Sequence, residues 1–69
     1  MPCEEKTRLM AEYETATAKF SAAAAELRRK MGTVAKTEYK RLERAANETR
    51  IKSEQARLAV EQHVAAHEC

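Results

Sequence analysis

A single glycine, Gly32, stands near the middle of a 69-residue chain whose only proline is Pro2. Reversals of the backbone draw on these two residue types for conformations that other residues resist. The chain therefore has material for one reversal and none for a β-rich architecture, which would need several. What remains is helix. Helix formers run from Glu4 to Met31 and again from Val34 to Glu68. Pro2 suits a first helical turn, and Glu4 and Glu5 follow where the helix dipole favours anions. Arg28, Arg29 and Lys30 supply the complementary charge just before Gly32. Gly32 fits a left-handed C′ position, and the Thr33 hydroxyl is expected to N-cap the next helix.

The apolar pattern shows that the chain reverses at Gly32 rather than continuing. In the first segment Leu9, Tyr13, Ala16, Phe20, Ala23 and Leu27 recur with alternating spacings of four and three, and Met10, Ala24 and Met31 widen that stripe. In the second, Ala35, Tyr39, Leu42, Ala46, Thr49, Ser53, Ala56 and Val60 do the same. Extending the first register past Gly32 does not meet the second. This break of phase is what two antiparallel helices produce. The expected fold is all-α: an antiparallel two-helix hairpin, coiled-coil-like, with helices near 3–31 and 34–68 and a turn at 32–33, forming one domain over residues 1–69. Facing residues should then sum to about 65.

Such a seam is thin. Alanine supplies 14 of the hydrophobic residues, and an alanine seam buries little area at roughly 25 cal/mol per Å². Chains of this size usually need a staple, a metal or a partner. Ile51, Leu58 and Ala65 recur every seven residues on the face opposite the second seam, with Val64 and Ala59 beside them. A helix apolar around most of its circumference is normally buried. Ile51, Leu58 and Val64 are therefore the expected partner interface. The partner would be a second copy, most simply in a dimeric four-helix bundle, or another helical protein.

Two other readings use different residues. His63 and His67, four apart on one helix face, could chelate a divalent ion. With Cys3 and Cys69 brought to the same end they would form a tetrahedral zinc set, a staple of the kind a weak core uses. The chain has no paired CxxC motif, and Cys69 at i+2 from His67 points elsewhere if helical. A Cys3–Cys69 disulfide would need the tail to fray or a second chain to supply the sulfur. At the turn end, residues 28–44 carry seven cations against two anions, a net +5, while the rest of the chain is −3. Arg28, Arg29, Lys40 and Arg41 would make the phosphate contacts if that end met nucleic acid. Low overall charge and the lack of stacking aromatics at the tip count against it.

Catalysis finds little support in the sequence. There is no aspartate and no glycine-rich phosphate loop, and a two-helix seam offers no pocket for a positioned nucleophile. The Glu-x-x-His pairing of dimetal bundles is missing as well. The longest apolar run, Ala22 to Ala25, is far shorter than a membrane span of roughly 20 residues. The opening Met1-Pro2-Cys3-Glu4-Glu5 does not resemble a secretory leader, so a cytoplasmic location is the expectation.

Overall fold

The computed structural model describes residues 4–67, with the His67 side chain outside that description. Helix α1 spans Glu4–Lys30 and helix α2 spans Lys36–His67. They pack side by side as an all-α hairpin with extents of 53 × 14 × 11 Å. The long dimension is close to the length of α2 alone, about 48 Å at 1.5 Å per residue.

The reversal takes five residues, 31–35, instead of two. Gly32 adopts φ = +80°, the left-handed conformation expected of it. The last turn of α1 tightens around it, with the Met31 N–H donating to the Arg28 carbonyl at 3.4 Å and the Thr33 N–H to the Lys30 carbonyl at 3.1 Å. Thr33 does not cap the second helix. Its hydroxyl donates back to the Lys30 carbonyl at 2.9 Å, so it closes the end of α1. Helix α2 opens two residues later, where the Tyr39 N–H bonds the Ala35 carbonyl at 2.9 Å. Ala35 thus stands at the N-cap, exposed and without a side-chain acceptor, and contributes nothing to the seam. Val34 and Tyr39 occupy the positions of a hydrophobic staple, and both are half-buried.

The longer connection also shifts the register. Thr17 and Ser53 share a hydroxyl–hydroxyl bond of 3.0 Å across the helices, so facing positions sum to about 70 rather than 65. At that register Tyr13 and Phe20 of α1 lie level with Ala56 and Thr49 of α2, large against small. Apart from Ala35, and from Met10 and Met31 at its edge, which are exposed, the seam follows the expected stripes: Leu9, Tyr13, Ala16, Phe20, Ala23 and Leu27 are all half-buried, as are Tyr39, Leu42, Thr49, Ala56 and Val60. Among the described residues only Ala46, at 7% exposure, and Ser53, at 9%, are buried outright. Thr49 satisfies its hydroxyl on the Ala45 and Ala46 carbonyls at 2.8 and 3.0 Å. Among the described residues no buried side-chain polar atom lacks a partner. The core is satisfied but shallow.

Candidate interaction surface

Ile51 and Leu58 are each 46% exposed. They lie one heptad apart on the side of α2 turned away from α1, because the seam takes positions 49, 53, 56 and 60. Ala65 continues their row and is exposed, whereas Val64 and Ala59 are half-buried within the hairpin. Of the three expected contact residues, Ile51 and Leu58 are presented outward most fully. A recurrence of seven overlooks Gln55 and Gln62, which interleave with them and are also exposed. Residues 51, 55, 58, 62 and 65 then form a second stripe of alternating four and three spacing, with no charge in it. The signal was in the sequence: Arg50-Ile51, then Glu54-Gln55, repeats seven residues later as Arg57-Leu58, then Glu61-Gln62.

Ion pairs run beside this stripe. Arg50 donates to Glu54 at 3.0 Å and Arg57 to Glu61 at 2.9 Å, both four apart on the helix. Exposed pairs of this kind contribute a few tenths of a kcal/mol each. They engage Glu54 and Glu61, two of the carboxylates that flank Ile51 and Leu58. Elsewhere Glu26 bonds Arg29 and Lys30, the latter at 3.3 Å, while Arg8 engages Glu5 and also Glu12 at 2.8 Å.

At the basic end, Arg28 and Arg29 close α1 while Lys40 and Arg41 lie in the second turn of α2; all four are exposed. Two are already engaged. Arg29 pairs with Glu26, and Arg41 bonds Glu38, its Nε donating at 3.2 Å. That bond is the largest influence on Glu38, whose pKa is held below the ordinary carboxylate value, with Lys30 across the turn adding to the effect. The Arg41 and Arg8 guanidinium groups are correspondingly raised by their glutamate partners. A shallow depression of about 560 Å³ lies over Lys36, Lys40 and Arg44, with Glu38 in its wall. It is an open surface of mixed charge.

Cys3, Cys69 and the His67 side chain, three of the four residues of the expected zinc set, lie outside the described residues. The fourth, His63, is half-buried on α2. Among the described residues no cluster of three or more His, Cys, Asp or Glu side chains is placed to hold a metal. No described helix is long and apolar enough to cross a membrane. Comparison of the chain with family models, curated proteins and solved structures returned no match.

Proposed function

We propose that this chain is a small non-catalytic helical assembly module that associates with further copies of itself through the outer face of α2. The observation that carries the reading is the outward row of Ile51 and Leu58, each 46% exposed on a helix whose other side is already committed to α1. Surface area supports it. The chain exposes 5343 Å², whereas a compact monomer of this mass exposes about 4,400 Å² by the usual scaling. The excess is on the order of the roughly 800 Å² that a standard interface removes from each partner. A core with two buried residues among those described is shallow, so association and folding would reinforce each other.

The test is solution mass by light scattering, in EDTA and reducing agent, for the parent chain and for Ile51→Glu/Leu58→Glu. The parent should give a multiple of 7.8 kDa and the variant a single chain. An unchanged multiple in the variant would refute the proposed face.

A further inference from the structure

The outer stripe of α2 has a counterpart on α1. Ala11, Thr15, Ala18, Ala22 and Ala25 follow the same alternation of four and three, and all are exposed. Both stripes continue toward the helix N-termini into two charged positions, Glu4 and Arg8 on α1 and Arg44 and Glu48 on α2, again all exposed. The order of sign is opposite in the two helices. Laid parallel with residue 51 level with residue 11, Arg44 meets Glu4 and Glu48 meets Arg8, which Glu5 and Glu12 also engage within its own hairpin. The five uncharged layers then coincide, with Ile51 and Leu58 over Ala11 and Ala18 and the Gln55 amide beside the Thr15 hydroxyl. Between these two stripes an antiparallel order would instead set Arg44 against Arg8 and Glu48 against Glu4, like against like.

Building on the self-association reading, we propose that hairpins join edge to edge, the outer stripe of α2 packing parallel against the outer stripe of α1 in a second copy. Large side chains meet small ones, as a close-packed helical contact requires. One flank adds Glu54 opposite Lys19 of the second copy. Another sets Glu61 near Glu26, like charges that each hairpin already neutralises with Arg57 and with Arg29 and Lys30. The bipolar charge of the hairpin favours the same arrangement, because the basic turn of one copy comes beside the acidic open end of the next.

Geometry then selects the kind of assembly. On α2 the inner seam and the outer stripe lie roughly 170° apart around the helix at 100° per residue. A compact four-helix bundle asks each helix for two contact faces about 90° apart. The contact proposed here is heterologous, since each copy offers a different edge to each neighbour. Neighbouring hairpins then point in opposite directions, and repeating the contact generates an open chain rather than a closed two-fold bundle.

Two blocked chains test this. Ala11→Glu/Ala18→Glu closes the α1 edge and Ile51→Glu/Leu58→Glu closes the α2 edge, at exposed helical positions where glutamate is a good helix former. Circular dichroism confirms that each remains helical. Each alone should be monomeric, and a mixture should give a 1:1 complex that grows no further. Charge reversal at Arg44→Glu/Glu48→Arg should also abolish assembly, and adding Glu4→Arg/Arg8→Glu to the same chain should restore it. If the chain blocked on α1 assembles like the parent, the contact is α2 against α2 and the proposal falls. It falls equally if the mixture stays monomeric while the parent assembles. A parent monomeric at every concentration would remove the self-association reading itself.

Discussion

The Thr17 and Ser53 hydroxyls bond to each other at 3.0 Å across the hairpin, 36 residues apart in sequence. Ser53 is one of two buried residues among those described, so this part-buried bond is shielded from water on the Ser53 side. Removing one partner strands the other. Thr17→Val should cost about 1–3 kcal/mol, whereas Thr17→Val/Ser53→Ala, which removes both polar groups, should recover most of the loss. Thermal denaturation reads the difference, at about 4–8 °C per kcal/mol for a chain of this size. Additive losses in the double variant would show that the bond does not couple the helices.

Gly32 is required by its backbone angle and not by crowding. Its φ is +80°, yet a Cβ built there meets nothing within 4 Å. Gly32→Ala should therefore lower stability by about 1–2 kcal/mol, the cost of holding an L-residue in the left-handed region. Gly32→Asn should cost less, because asparagine tolerates that region. Equal losses for both would point to space rather than conformation.

The N-terminus of α2 can be improved. Ala35 at the N-cap gives its free N–H groups no side-chain acceptor, while Glu38 stands three residues on. Ala35→Ser would complete a capping box and should raise stability by about 0.5–2 kcal/mol. Thr33→Ser should be close to neutral, since serine keeps the hydroxyl that bonds the Lys30 carbonyl. A gain from Ala35→Ser no larger than that from Ala35→Gly would contradict the side-chain capping account.

Acidification should weaken the turn end. The bond from Arg41 holds Glu38 below its ordinary pKa, with Lys30 contributing. A carboxylate depressed in the folded state adds stability above its unfolded pKa and loses it as pH falls through the folded value. The parent should therefore lose more stability than Glu38→Gln when titrated downward through the carboxylate range. Identical acid limbs in denaturation would show that the pair contributes nothing, as many exposed ion pairs do.

How much of this was legible in the sequence follows from the reach of each signal. The seam was readable because periodicity is local: Leu9, Tyr13, Ala16, Phe20, Ala23 and Leu27 are all half-buried, whereas Met10 and Met31, placed at its edge, are exposed. Gly32 was readable because no other residue could turn the chain. The register was not. It depends on how many residues the connection uses, and Thr33 offered a plausible cap that the chain spends on the Lys30 carbonyl instead. Of the surface, Ile51 and Leu58 stood out as apolar. Gln55 and Gln62 did not, because a neutral amide at a contact position looks like any exposed polar residue until the helix face is placed.

Whether the hairpin is one part of a larger helical assembly is decided by sedimentation equilibrium of the parent chain over a hundredfold concentration range, in EDTA and reducing agent. Masses should rise from 7.8 kDa with concentration, together with a melting temperature that rises in step. A constant 7.8 kDa across that range, with a melting temperature independent of concentration, would contradict that assembly.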